Sequence, residues 1–225
     1  MTLSYVRFMY VYAFCAAETS LPPLPQGIAQ PLQTLGVAGV MAIGEPPLNL
    51  EALQQDEARL VSAVVHHDWV LCELIQSVTL LPLRFGTQFS DSQQVRSHLQ
   101  TQEMAYRNQL AALQDRVEVC LKLAAKPVVL AAPSSTLKGR DYFLAKKQRL
   151  QQQALTETQQ QAQVAQLRAD ILRSYPQHQV EDDRVYLLLH RGAIEQLQTQ
   201  YQHWQRQFAG CEIQLSGGLP PYHFV

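Results

Sequence analysis

Apolar residues recur along this chain with two periods, and the changes of period divide it into elements. Residues 5–14 alternate as a strand does. Val6, Phe8, Tyr10, Tyr12 and Phe14 fall on one face, and Tyr5, Arg7, Met9, Val11 and Ala13 on the other. So apolar a face is expected where a helix covers one side of a sheet. Leu21-Pro22-Pro23-Leu24-Pro25-Gln26-Gly27 interrupts as a loop, since proline neither donates to a ladder nor continues a helix. Residues 35–43 predict a second strand, with Gly36 and Gly39 marking a bulge or a close backbone approach. Gly44-Glu45-Pro46-Pro47 ends it as a turn. Helical spacing then runs from about 50 to 77 through Leu53, Leu60, Val64, Leu71, Leu74 and Val78. The run Leu80-Leu81-Pro82-Leu83-Arg84-Phe85-Gly86-Thr87 reads as a strand at a sheet edge, because of Pro82, that turns at Gly86. A helix near 91–113 follows, with Ser90 and Gln93 as its capping box.

Alternation returns at 116–124, predicting a half-buried strand with Val117, Val119, Leu121 and Leu123 inward and Glu118, Lys122 and Ala124 outward. Lys126–Arg140 reads as a loop holding a short apolar piece at Val128–Ala131. A long helix is predicted from about 141 to 173, with Leu144, Leu155, Ala162, Ala165, Ala169 and Leu172 on one side. Its glutamine-dense middle, Gln148–Gln163, is expected to be exposed. After Pro176, Val185, Leu187 and Leu189 alternate with Tyr186, Leu188 and His190 as a strand. Ile194, Leu197, Tyr201, Trp204 and Phe208 then repeat by three and four, the clearest amphipathic helix in the chain. Cys211, Ile213 and Leu215 form a last strand. The segment Ser216–Phe224 is predicted to be an extended tail, stiffened by proline and docked by its aromatics. Few strands among long helices point to an α+β fold. The expected architecture is two modified ferredoxin-like domains, residues 1–112 and 113–225, each a small sheet covered by long helices.

Composition narrows the function. The 225 residues suit one large or two small domains, and 47% hydrophobic content is enough for a sizeable core. Lys plus Arg (18) nearly cancel Asp plus Glu (19), so the basic excess expected of a nucleic-acid binder is missing. Cys15, Cys72, Cys120 and Cys211 form no C-x-x-C and read as free thiols in a reducing compartment. The amino-terminal alternation is that of a strand and no run has the length of a membrane span, so a soluble intracellular protein is expected. His66-His67-Asp68 lies within one helix, and neighbouring positions point about 100° apart, so the two histidines cannot share a metal there. Asp182-Asp183 reads as a solvated turn. No catalytic serine, phosphate cradle, metal set or acid–base pair emerges, and neither an enzymatic activity nor a cofactor is expected.

Arg84 is the odd residue in its run: a guanidinium among Leu and Phe is either paired with a carboxylate or contacts a partner at a groove. The stretch Leu81-Pro82-Leu83-Arg84-Phe85-Gly86-Thr87, followed by a polar helix start, resembles the signature of the gas vesicle protein GvpF/GvpL family. Tyr10-Val11-Tyr12-Ala13, Gly139-Arg140-Asp141-Tyr142-Phe143 with Lys146-Lys147, and Gly217 with Pro220-Pro221-Tyr222-His223-Phe224 resemble that family's other landmarks, in order. Gly218 departs from the pattern, standing where the family usually has proline. The resemblance implies a non-enzymatic accessory or minor structural protein of gas vesicles. It would bind the hydrophobic, GvpA-type main shell protein, and other accessory proteins, during nucleation and assembly. The family's most recognisable residues map to Arg84, Phe85, Gly86, Pro220, Pro221 and Tyr222, taken here as expected partner-binding positions. The alternative from the residues alone is a ferredoxin-like small-molecule or RNA-binding protein.

Overall fold

The computed structural model describes residues 10–128, 130 and 139–225. Residues 5–9 of the first predicted strand lie outside them, as do Val129 and Ala131 of the short apolar piece. Strands β1 (Tyr10–Ala16), β2 (Gln33–Val37) and β3 (Val40–Glu45) are followed by helices α1 (Leu50–Gln54) and α2 (Glu57–Ile75). Strand β4 (Leu80–Pro82), helix α3 (Ser92–Leu113), strand β5 (Arg116–Ala125) and helix α4 (Gly139–Ser174) come next. Strands β6 (His178–Glu181) and β7 (Arg184–His190), helix α5 (Ile194–Gln207) and strand β8 (Cys211–Leu219) complete the order. The fold is α+β, with two four-stranded sheets ordered β2-β3-β1-β4 and β6-β7-β5-β8. Two compact units result: Met1–Val119 with Leu188–Arg191 and Gly217–Val225, and Cys120–Leu187 with Gly192–Ser216.

In the first sheet β1 runs antiparallel to both β3 and β4, and β2 antiparallel to β3. Strand β1 is one of the two inner strands, and Tyr10 to Cys15 are all buried, so it is covered on both faces. The expected aromatic face is split. A register shift between Val11 and Ala13 re-aims the chain, so Phe14 joins Val11, Val95 and Leu99 on the α3 side. Tyr10 and Tyr12 instead meet His67 of α2. One extra residue in a strand is enough to reverse the facing of the residues after it.

Three other expectations are corrected. Residues 35–43 are the middle of a hairpin, because Ala38 (φ 50°) and Gly39 (φ 86°) form a two-residue turn in which both residues are left-handed. The helix expected from 50 to 77 breaks at Asp56, whose side chain accepts the Arg59 amide and caps α2. The cap of α3 is Asp91, which accepts the Gln94 amide at 2.8 Å while the Gln94 side chain takes the Ser90 amide. The expected box is displaced by one residue.

In the second unit the buried stripe of α4 is Val164, Leu167 and Ile171, not the predicted alanine side. Ala162, Ala165 and Ala169 are exposed, as are Leu144 and Leu155. Asp182 and Asp183 do form a turn, closing the antiparallel β6–β7 hairpin with Asp182 at φ 49°. Trp204 of α5 is fully buried and meets Tyr175 edge-on at 6.2 Å.

Candidate functional site

The Leu80–Thr87 run holds only three ladder residues before it leaves the sheet. Pro82 lies opposite Ala13 on the edge strand, where a missing N–H costs no ladder bond. The Leu83 amide still donates to Tyr12 O at 2.8 Å, and the Val11 amide then recovers Thr87 O at 3.1 Å. Between those two bonds the chain loops out and back. The Thr87 amide and hydroxyl both donate to Arg84 O, and Gly86 supplies the left-handed angle the turn needs (φ 90°). Arg84 stands exposed at the tip, and no carboxylate pairs with it among the described residues. Phe85 turns back, its ring 6.0 Å from Tyr10 and 5.8 Å from His67.

His67 ties this loop down. Its Nε2 lies 3.0 Å from Leu83 O, which only accepts, so Nε2 carries the proton. Nδ1 is then free to accept from the Tyr10 hydroxyl at 2.8 Å, and Tyr10 in turn accepts the Gly86 amide at 3.4 Å. Burial pushes the His67 pKa down, which favours this neutral form, and pushes Tyr10 above the ordinary phenol range. The Tyr12 ring stacks on His67 with centroids 4.8 Å apart.

Next to it, the fully buried Glu45 carboxylate is satisfied on both oxygens. It accepts the Tyr12 hydroxyl (2.5 Å) and the amides of Ile28 (2.9 Å), Ala29 (3.0 Å) and Gln30 (2.7 Å). Burial and this bond to Glu45 raise the Tyr12 pKa. Gly27 makes the approach possible. A β-carbon there would lie 2.4 Å from Gln30 O and 2.9 Å from the Glu45 carboxyl.

The carboxy-terminal segment reaches the same unit. Pro220 and Pro221 are buried, and Tyr222–Phe224 form a short 3-10 turn. The Tyr222 hydroxyl points at Leu83 O (3.5 Å), the carbonyl already bound by His67. The His223 amide and Nδ1 take the two oxygens of Glu118 at 3.0 and 2.8 Å, and Phe224 packs on the α3-side core. Glu118, expected to face solvent, is buried.

The structure therefore gathers Phe85, Gly86 and Tyr222 around Leu83 and seats Pro220 and Pro221 in the interior, leaving Arg84 outside. Sequence reasoning missed His67, Glu45 and Glu118. A signal for His67 existed: Ala63, Val70 and Leu74 flank it at helical spacing, so it occupies a core position of α2. Chemically the assembly is a clamp. The ring nitrogens of His67 are spent on Leu83 O and Tyr10, and the oxygens of Glu45 on Tyr12 and the amides of Ile28, Ala29 and Gln30.

Outside the clamp, the described residues include no group of three or more His, Cys, Asp or Glu placed to hold a metal ion. A cleft of about 430 Å³ is bordered by Glu18, Arg107 and Asp115 and has no histidine or cysteine in its lining. The surface feature that stands out is on α2. Val61, Val65 and Trp69 recur at helical spacing on the side facing away from His67, with Val65 62% and Trp69 43% exposed.

A family model described as "Gas vesicle synthesis protein GvpL/GvpF" matches residues 8–225. Gas vesicle protein F of a Streptomyces strain is 27% identical over 96% of this chain and 100% of the relative. Two solved structures share the fold. The crystal structure of gas vesicle protein GvpF from Anabaena superposes with a TM-score of 0.69 at 18% identity, covering 97% of this chain and 95% of that one. That of GvpF from Microcystis aeruginosa gives 0.68 at 15% identity, covering 97% and 98%.

Proposed function

The chain belongs to the gas vesicle synthesis protein GvpL/GvpF family, and from that premise we propose that it binds the hydrophobic main shell protein while gas vesicles nucleate and assemble. The observation that carries this reading is the exposed apolar stripe Val61–Val65–Trp69 on α2. A helix whose inner side is fixed by His67 offers a rigid apolar rail on its outer side. Such a rail suits a client that must bury apolar surface before it reaches the shell.

In this reading the exposed Arg84 adds a charged contact of its own. Phe85, Gly86, Pro220, Pro221 and Tyr222 support the site by holding the Arg84 loop and the carboxy-terminal segment in place. The protein performs no catalytic step in this role. The test is a pull-down of the main shell protein by the purified chain. Capture that is lost in Val65→Glu and Trp69→Glu, and weakened in Arg84→Glu, supports the proposal. Undiminished capture by the α2 variants removes it.

A further inference from the structure

The chain carries a second exposed apolar stripe, at the amino-terminal end of α4. Phe143, Leu150 and Ala154 share one face of that helix with Lys146 and Lys147, and border a shallow groove. Phe143 is 70% exposed and Leu150 57%. From Gly139 to Leu150 the helix holds Arg140, Lys146, Lys147 and Arg149 against a single Asp141, so this end of α4 is basic in a chain of net charge −1.

The α2 stripe has the opposite sign. Glu57 and Asp68 fall on the same side of α2 as Val61, Val65 and Trp69, and both are exposed. Each stripe thus sets two charges among large apolar side chains, basic on α4 and acidic on α2. Two such surfaces bury apolar area together and pair their charges, whereas either stripe meeting its own kind would oppose like charges.

We infer that the occupant of the α4 stripe is a second copy of this chain, docked through the acidic apolar stripe of its α2. The contact joins two different patches. It therefore closes reciprocally into a two-fold dimer or continues head to tail. Either way a second copy competes with the shell protein for the α2 stripe, which would keep that surface covered until a client arrives. The association itself does not rest on the shell-protein reading, because it is measured on the purified chain alone.

The experiment is sedimentation velocity over a range of concentration and salt. It uses the full chain, the variant Lys146→Glu/Lys147→Glu, the variant Glu57→Lys/Asp68→Lys, and an equimolar mixture of the two. The native chain is expected to associate reversibly and less strongly as salt screens the pairs. Each variant alone is expected to be monomeric, while the mixture associates, because it reunites one native α4 stripe with one native α2 stripe. Circular dichroism checks that each variant is folded, and association of the mixture is itself evidence of two intact surfaces. A native chain that is monomeric at every concentration overturns the inference. So does undiminished association of the α4 variant, or failure of two folded variants to associate on mixing. A monomeric chain whose α4 stripe is taken by anionic vesicles or by shell protein assigns the stripe to another occupant, with the same consequence.

Discussion

Two carboxylates are buried in the first unit, and they do different work. Glu45 binds three consecutive amides 15 to 17 residues before it and one tyrosine hydroxyl, so it organises its own neighbourhood. Glu118 binds the amide and imidazole of His223, 105 residues further on, so it secures a distant end of the chain. A buried charge is tolerated only when its lone pairs are filled. The first is filled by rigid backbone in a proline-bounded loop. The second depends on a short carboxy-terminal turn and on a single imidazole side chain. The local clamp should therefore be the costlier one to break, and the long-range latch the easier one to open.

The largest expected effect is at the local clamp. Glu45→Ala strands three amides and the Tyr12 hydroxyl, and about 4 kcal/mol of stability should be lost. Gly27→Ala, which removes no charge, should destabilise by a similar order because its β-carbon would occupy the space of the Gln30 carbonyl and the Glu45 carboxyl. Both are read as falls in the midpoint of thermal or urea unfolding, and a neutral Gly27→Ala would show that the cradle can relax.

Glu118→Ala should cost less, about 2 kcal/mol. It should also expose the carboxy-terminal residues to proteolysis before the rest of the unit unfolds, which Glu45→Ala should not do selectively. Limited proteolysis with mass spectrometry separates the two outcomes.

Acid sharpens the comparison through His67, which lies beside the Glu45 clamp. Its folded pKa is lowered by burial, so below about pH 6.5 the unfolded chain takes up a proton that the folded one resists. Stability is thus fully present above that pH and declines below it, by at most about 1.4 kcal/mol per unit until the folded pKa is reached. His67→Gln should lower stability at neutral pH and flatten this part of the profile, measured as unfolding free energy between about pH 7 and pH 5.

The smallest effects lie outside the clamps. Arg84→Glu should shift stability by no more than about 0.5 kcal/mol, since its side chain is exposed, while weakening shell-protein capture. Cys15, whose thiol burial pushes up to about 12, should resist alkylation at neutral pH in the folded chain and react on unfolding.

Much of the architecture was legible in the residues. The long helices were, because three-and-four spacing persists over many turns. So was the edge position of the Pro82 strand, since proline restricts where a strand can lie. The turn at Gly86 was visible for a similar local reason. The hairpin at Ala38-Gly39 was hidden because Leu35–Ile43 is apolar throughout, leaving only an X-Gly pair to announce the reversal. The register shift in β1 was hidden too, since pairing with β3 imposes it and no residue type in Tyr10–Ala16 requires it.

The candidate site divides along the same line. Arg84, Phe85, Gly86, Pro220, Pro221 and Tyr222 were found as words in the sequence, and their physical division was not. Only folding decided that Arg84 would face outward and that the prolines would be interior. Only folding brought Tyr222 to a carbonyl 139 residues away and gave two charged-looking positions, Glu45 and Glu118, to the core. Local periodicity and turn chemistry depend on a residue's immediate neighbours, so the sequence carries them directly. The filling of a buried polar atom depends on whichever distant backbone arrives beside it, and that is a property of the tertiary structure.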